Sequence, residues 1–521
     1  MSVVAFRTDA SRSIGAGHAV RCLALADVLR QQGTECVFVM GSVFDDIRDV
    51  INERGHHIMM LPIGDTSQSA AVKPGKCNGP KQEDELGVGT DYIGRFDWEK
   101  DAECTAAALQ PLRPDWLVVD HYCIDSRWEA VLRDVCGRVL VIDDLANRNH
   151  ECDVLVDQTA QSLERYAGLV PDSCKRLLGP RYALLRPEFE EVRSETTNRT
   201  GQVRRILVFC GLGDVTDETS KAVRAIGSLD RADVEVSVVI AASNRSRHDL
   251  ESLCRQFPNI KLICGVRDMA RLMGDSDLFV GAGGTSAWER CCVGLPGIVW
   301  ATADNQQFQG EFLSRIGAQF YLGTSEAVTP ERLARIIDEM LRQPEMIVHM
   351  SEQARKVTDG RGAKRVANCM MVPVVKLRRA TGEDCESIHV WRNHPAIRRY
   401  AVNPSEIVLE EHHEWFEGVL SDPSRVLLVA ESKSNAVGVL RFDLAGHVAK
   451  VSLYVVPGKM GKGFGRAILR AGEEWLREHC PSVTMLEAEV CSENIPSLGL
   501  FQSEGYDTHR QIFRKVVNGN S

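Results

Sequence analysis

No run of apolar residues in this 521-residue chain approaches the roughly 18 that a bilayer requires, so no membrane-spanning helix is expected. Blocks of Lys and Arg are missing too. The 62 basic residues are scattered among 72 acidic ones, and a formal net charge of −10 argues against nucleic acid as a partner. No CxxC pair occurs, and no ligand cluster with zinc spacing, so no structural metal is expected. The 17 cysteines fall in apolar runs (Cys36, Cys123, Cys210, Cys254, Cys291 and Cys292 among them), the pattern of buried free thiols and not of a disulfide framework. The opening MSVVAFRTDASRS lacks a basic segment followed by an apolar stretch, and the expectation is a cytoplasmic chain without a secretory signal. No internal repeat of about 20–50 residues is visible.

What is present is ordinary globular composition, with 44% hydrophobic and 26% charged residues. At roughly 100–200 residues per domain the length implies about three to four domains. Short β-rich runs (Val3–Phe6, Glu35–Met40, Leu117–Asp120, Val139–Asp143) alternate with helical patterns such as Val20–Gln31, which implies a parallel sheet flanked by helices. Gly64–Asp97 is polar and reads as a long surface loop. After the polar stretch Ser194–Gln202 a second series begins with Arg205–Phe209, Val234–Ile240, Ile260–Cys264 and Leu278–Val280. Beyond Arg361-Gly362 the pattern changes to strands meeting by hairpins, with a long helix over Gly465–His479, an α+β arrangement. The expected architecture is α/β, two Rossmann-like domains enclosing a cleft, followed by an α+β domain. Its segments are 1–195, 203–362 and 374–521.

Ser13-Ile14-Gly15-Ala16-Gly17-His18-Ala19-Val20-Arg21 stands where the first strand hands over to a helix. Glycines there let a phosphate approach backbone N–H groups at the helix start, so Gly15, Gly17 and Arg21 are candidates for binding an anionic ligand. His18 is placed at the cleft edge. An imidazole, with an ordinary pKa of about 6.5, accepts a proton from water at neutral pH; the competing reading is a capping or structural histidine.

RTDASRSIGAGHAVRCLALADVLR resembles the opening of the UDP-sugar hydrolases of pseudaminic acid biosynthesis, which release UDP from a UDP-linked 2,4-diacetamido-2,4,6-trideoxy-altrose. The resemblance continues through Trp116–Glu129, Val139–Gln158 and Leu177–Phe189 and covers residues 1–360. It implies a fold like that of the two-domain (GT-B) glycosyltransferases, with water replacing the acceptor and without metal. His18 then matches the family's base, and Tyr122 an active-site tyrosine that hydrogen-bonds the sugar or its phosphate. Asp9, one strand-end away, is a candidate to orient His18; the alternative is an acid capping the following loop. Asp143-Asp144 match the family but receive no catalytic role.

Gly281-Ala282-Gly283-Gly284-Thr285-Ser286-Ala287-Trp288-Glu289 follows the strand Leu278–Val280. Gly283, Gly284, Thr285 and Ser286 form a nest for a pyrophosphate, and Glu289, about one turn inside the helix, is placed to accept from ribose hydroxyls. The bland alternative is a helix cap with an exposed acid. Asn305-Gln306 stands where the family presents such a pair to the sugar. At Gly211-Leu212-Gly213-Asp214 the family usually shows Gly-Gly-Ser-Asp, so a cleft-lining loop without a specific hydrogen bond is expected there.

The C-terminal run Pro457-Gly458-Lys459-Met460-Gly461-Lys462-Gly463-Phe464-Gly465 is a second pyrophosphate-type loop, and it resembles the acyl-CoA loop of the GNAT N-acetyltransferases. Asn494-Ile495-Pro496-Ser497, Phe501 and Gly505-Tyr506 resemble that superfamily's ending. Trp391–Tyr400 and Glu410–Phe416 resemble the acetyltransferase of the same pathway, over about residues 374–515. The resemblance implies acetyl-CoA as cosubstrate, held by Leu453, Val455, Lys462, Gly463, Gly465, Asn494 and Ser497. Glu489 is a candidate proton relay; its alternative is a sheet-edge surface acid. Two positions depart from the pattern. Met460 replaces a loop Arg or Gln, and Phe501 stands where a tyrosine usually protonates the leaving thiolate, with Ser497 as a weaker substitute.

The functional expectation is one chain performing both steps on a UDP-sugar, N-acetylation and then hydrolysis to UDP. A UDP-sugar glycosyltransferase remains open, as does a hydrolase carrying a degenerate acyl-CoA-binding module.

Overall fold

The computed structural model describes residues 2–11, 15–62, 96–159, 162–197, 199–211, 214, 216–229, 231–242, 244–373, 375–401, 403–432 and 434–508. Most of the expected loop Gly64–Asp97 lies outside these, as do Leu212 and Gly213. Two compact units result, Met1–Ala367 and Asn368–Ser521.

The first unit holds two parallel sheets. Strands β1 (Val3–Thr8), β2 (Glu35–Met40), β3 (His57–Met60), β4 (Trp116–Asp120), β5 (Arg138–Ile142), β6 (Val154–Asp157) and β7 (Lys175–Leu178) assemble in the order β3-β2-β1-β4-β5-β6-β7. Strands β8 (Arg205–Phe209), β9 (Glu235–Ile240), β10 (Ile260–Cys264), β11 (Leu278–Ala282), β12 (Gly297–Ala301) and β13 (Phe320–Thr324) assemble in the order β10-β9-β8-β11-β12-β13. Continuous apolar runs suit strands buried on both faces. In β8, Ile206 and Val208 enter one core with Val236 and Ile298, while Leu207 and Phe209 enter another with Phe279 and Trp288. Both sheets reverse their winding once, between β1 and β4 and between β8 and β11. A crevice opens at the carboxyl ends of strands at such a point.

The second unit is a five-stranded sheet in the order β14 (Lys376–Arg379), β15 (Arg425–Ser432), β16 (Asn435–Ala445), β17 (Val448–Val455) and β18 (Met485–Ala488). Its pairs are antiparallel up to β17, and β17–β18 is parallel. Leu453 and Val455 of β17 pack with Ile468 and Leu469 of helix Phe464–His479. Tyr454, pointing to the other face by the period of two, packs with Phe416 and Val419 of helix Leu409–Ser421. Pairing of β17 with β18 stops at Val451, whereas pairing with β16 runs on to Val455. Ser452–Val455 of β17 therefore pair with β16 alone.

Among the described residues every cysteine is a free thiol. None of their helices is long and apolar enough to cross a membrane.

Candidate functional site

The helix after β1 spans Gly17–Gln31, three residues earlier than its apolar period indicates, and Ala16 caps it without a side-chain hydrogen bond. His18 is thus the second helical residue and not a cap. It lies at the β1/β4 switch point, where its Nδ1 meets Asp120 Oδ1 at 2.5 Å. Burial alone would raise the Asp120 pKa, but the Arg21 guanidinium and His18 outweigh it and hold the carboxyl well below its usual range. An ionised carboxylate only accepts, so in this contact the imidazole donates through Nδ1. The Tyr122 ring stands edge-on to the imidazole at 4.4 Å.

Two expected roles are corrected here. Asp9 does not orient His18: its Oδ1 accepts from the amides of Gly41 and Ser42 at 2.7 and 3.0 Å, and the carboxylate pairs with Arg7 and His121. It ties the loops after β1 and β2 together. Arg21 is no free anion ligand either. Its Nε and Nη2 donate to Asp120 at 2.6 and 2.7 Å and its Nη1 to Asp144 at 2.8 Å, so its buried charge is already matched. Asp143 accepts from Ala146 N and Tyr166 OH, as a turn-capping acid does. Asp120 is the residue that sequence reasoning missed; the available signal was an acid closing the strand next to β1.

Gly17 and the β11 turn meet closely: a Cβ on Gly17 would lie 2.9 Å from Thr285 Oγ1. Gly15, at φ +81°, and Gly284, at φ +133°, occupy backbone regions that side chains disfavour. Gly283 and Gly284 lie beside Gln306, whose Oε1 accepts from Thr302 N at 3.0 Å. Ser286 opens the helix Ser286–Cys292, with Thr285 as its cap residue. Asn305 Nδ2 donates to Tyr122 OH at 3.2 Å, joining the two halves across the crevice. Burial, with the Asp144 charge beside it, pushes the Tyr122 phenol up. Its hydroxyl thus remains a neutral donor.

Glu289 is not an exposed acid. Its side chain is 13% exposed and accepts from Arg186 Nη2 at 3.1 Å. Burial raises its pKa while Arg186 works against the rise. Arg186 was also missed, because nothing local marks it. Asp214 accepts from the amides of Glu218 and Thr219 and caps the helix Glu218–Gly227.

In the second unit, Leu453 and Val455 fall on the part of β17 that pairs with β16 alone. The loop below it places Gly458, Gly461 and Gly463 at φ +80°, +75° and +78°, and Gly463 caps the helix Phe464–His479. A Cβ on Gly458 or Gly461 would meet nothing within 4 Å, so the loop stands clear of the rest of the fold. An acyl-CoA pyrophosphate fits such a turn of amides at a helix start. Lys462 Nζ donates to Gly458 O at 3.3 Å, and Gly465 packs near Leu500. The Asn494 side chain accepts from Ser497 N at 3.2 Å and caps the helix Ile495–Ser503. Glu489 lies just past β18 and its carboxylate pairs with Lys450 at 2.7 Å on the exposed edge, which corrects the relay expectation in favour of a surface acid. Phe501 stacks edge-on against Tyr506, whose hydroxyl donates to Glu473 at 3.1 Å. Among the described residues no His, Cys, Asp and Glu cluster suits a metal ion.

Comparison with known proteins agrees with this division. The model of the acetyltransferase (GNAT) domain matches residues 375–507. An uncharacterised protein of Methanocaldococcus jannaschii is 22% identical over 96% of both chains. The UDP-2,4-diacetamido-2,4,6-trideoxy-beta-L-altropyranose hydrolase of Campylobacter jejuni is 25% identical over 53% of this chain and 83% of its own. The acetyltransferase PseH of C. jejuni is 26% identical over 26% of this chain and 85% of its own. Two doubly wound parallel sheets thus precede a region, residues 375–507, that matches the acetyltransferase (GNAT) domain, and part of the chain is similar to the UDP-2,4-diacetamido-2,4,6-trideoxy-beta-L-altropyranose hydrolase.

Proposed function

We propose that the chain acts twice on one nucleotide sugar. Residues 374–521 transfer the acetyl group of acetyl-CoA to the 4-amino group of a UDP-4-amino-4,6-dideoxy-N-acetyl-altrosamine. Residues 1–195 and 203–362 then hydrolyse the UDP-2,4-diacetamido sugar to free sugar and UDP. The observation that carries the hydrolytic half is the His18–Asp120 pair at the β1/β4 switch point, facing the Gly283–Ser286 turn.

Asp120 fixes the imidazole with Nε2 as the base and stabilises the imidazolium once it forms. Nε2 takes a proton from water as the water oxygen attacks the anomeric carbon, and the bond to UDP breaks with its electron pair leaving on the phosphate. Glu289 accepts from the ribose, the Gly283–Ser286 turn offers amides to the diphosphate, and Tyr122 with Asn305 contacts the sugar. In the acetyl transfer, the amine nitrogen attacks the thioester carbonyl, the C–S bond breaks, and the amine's proton ends on the thiol by way of solvent. Phe501 supplies no proton. A thiol of ordinary pKa about 8.5 leaves readily enough that turnover persists.

NMR of the UDP-4-amino sugar with the protein tests the whole reading. With acetyl-CoA, an N-acetyl signal and then a free reducing sugar are expected; without it, neither. Transfer of the sugar to an acceptor other than water would favour a glycosyltransferase instead.

A further inference from the structure

The first unit contains a cavity of about 520 Å³ that neither proposed reaction uses. Its walls come from helix Pro187–Glu195, the end of helix Pro344–Val357 and the start of helix Gly362–Met370. Two arginines meet in it. Arg193 Nη1 donates to Cys292 O and Thr358 O at 2.7 and 3.0 Å, and its Nη2 donates to Arg355 O at 2.9 Å. Arg355 returns the contact, with Nη2 donating to Arg193 O at 3.1 Å and Nη1 to Thr196 Oγ1 at 3.2 Å.

Neither guanidinium pairs with a carboxylate among the described residues, because the acids of the cavity are engaged elsewhere or face solvent. Glu190 holds Arg361 at 2.9 Å and Lys364 at 2.6 Å, Asp359 holds Arg365, and Glu191 is exposed. Three acids against five cations leave a positive excess, which helix carboxyl ends, at about half a charge each, offset only in part. Burial lowers the Arg355 pKa, and the Arg193 charge lowers it further. A third guanidinium adds to the same field. Arg199 donates only to Gly274 O and Met273 O, at 2.7 and 3.2 Å, and its buried Nε has no hydrogen-bond partner among the described residues. Burial lowers its pKa as well; Asp277 opposes the fall and Arg355 adds to it.

Crowded cations favour a bound anion, and the donors for one are present. Each guanidinium has five N–H groups, of which the bonds above take three from Arg193 and two from Arg355. A carboxylate would offset one charge. A phosphate dianion offsets both and accepts several N–H bonds at once. The cavity is separate from the Gly283–Ser286 turn: helix Ser286–Cys292 starts at that turn, and the carbonyl that Arg193 holds is at its other end, about 9 Å away along the axis.

We infer that Arg193 and Arg355, with the exposed Lys364 beside them, form a binding site for a phosphate group, distinct from the site proposed for UDP. The volume lies within the roughly 300–1,000 Å³ of small-molecule sites, so inorganic phosphate and the phosphate of a larger metabolite both fit. The inference stands apart from both proposed reactions.

The test is calorimetric titration of the full chain with inorganic phosphate at constant ionic strength, under saturating UDP so that the Gly283–Ser286 turn is filled. One phosphate per chain is expected, weakened at least tenfold in Arg355→Met and restored to within about threefold of the wild type in Arg355→Lys. UDP affinity, measured on each variant, should stay within twofold of the wild type. If Arg355→Met also loses UDP binding, its fold has failed, and Lys364→Met decides: at least threefold weaker phosphate binding supports the site, and unchanged binding overturns it. Absence of phosphate binding in the wild type, or equal affinity in the wild type and every folded variant, likewise overturns the inference. A parallel titration with glucose 6-phosphate separates the sources: at least tenfold tighter binding than inorganic phosphate supports a phosphorylated metabolite at this site, and equal or weaker binding supports free phosphate there.

Discussion

Asp120 binds one nitrogen of the His18 imidazole, so in the proposed hydrolysis the two residues act as a pair. Replacing His18 by Asn should lower kcat for UDP release by about 10²–10⁴-fold, measured by nucleotide chromatography. Asp120→Asn should lower kcat more than it changes KM. Asp9 and Asp120 also set the acid limit of folding. Both carboxyls are held below their unfolded values, in each case against burial, by Arg7 and His121 or by Arg21 and His18. The stability they add is present above about pH 4 and is lost as pH falls through their lower folded values. Thermal midpoints should therefore drop steeply below about pH 4, and Asp120→Ala should cost about 3–5 kcal/mol near neutrality, with the difference shrinking in acid.

Elements meet where glycine permits it. A Cβ on Gly281 would lie 2.0 Å from Phe209 O, so Gly281→Ala should push β11 from β8 and destabilise the first unit by about 1–3 kcal/mol in denaturant titration. Gly463, at φ +78° where the CoA loop becomes helix, resists any side chain. Gly463→Asp adds backbone strain and a carboxylate where a pyrophosphate would sit, and should abolish acetyl-CoA binding in calorimetry. Phe501→Tyr should leave the acetylation rate unchanged or raise it, since the edge-on contact with Tyr506 leaves the element's packing to an aromatic ring of either kind.

For the whole molecule, the division at Ala367 predicts separable activities. A chain ending at Ala367 should release UDP from the diacetylated sugar nucleotide, and residues 368–521 alone should consume acetyl-CoA with the UDP-4-amino sugar. An acetyl-CoA-binding fragment that never turns over would leave the hydrolase with a binding module.

How much was legible follows from the range of each interaction. Glu35–Met40, Arg205–Phe209, Ile260–Cys264 and Gly297–Ala301 are strands over the apolar runs that mark them, because burial of a parallel strand on both faces is written in consecutive residues. The Gly-rich turns were legible for the same local reason, as their backbone demands fall on single residues. The start of the first helix was not, since Gly17, His18 and Ala19 carry no apolar period. The partners of the site residues were beyond reach altogether. Asp120 lies 102 positions from His18, and Arg186 lies 103 positions from Glu289. Asp9 is nearer in sequence to His18 and lost the role, because the β1–β4 pairing brings Asp120 level with Thr8 at the strand ends while Asp9 turns toward Arg7 and the β2 loop. By itself the sequence determined the elements, the glycine turns and the candidate base; the pairing of distant strands decided which acid meets that histidine, because only tertiary contact sets a hydrogen bond between residues so far apart.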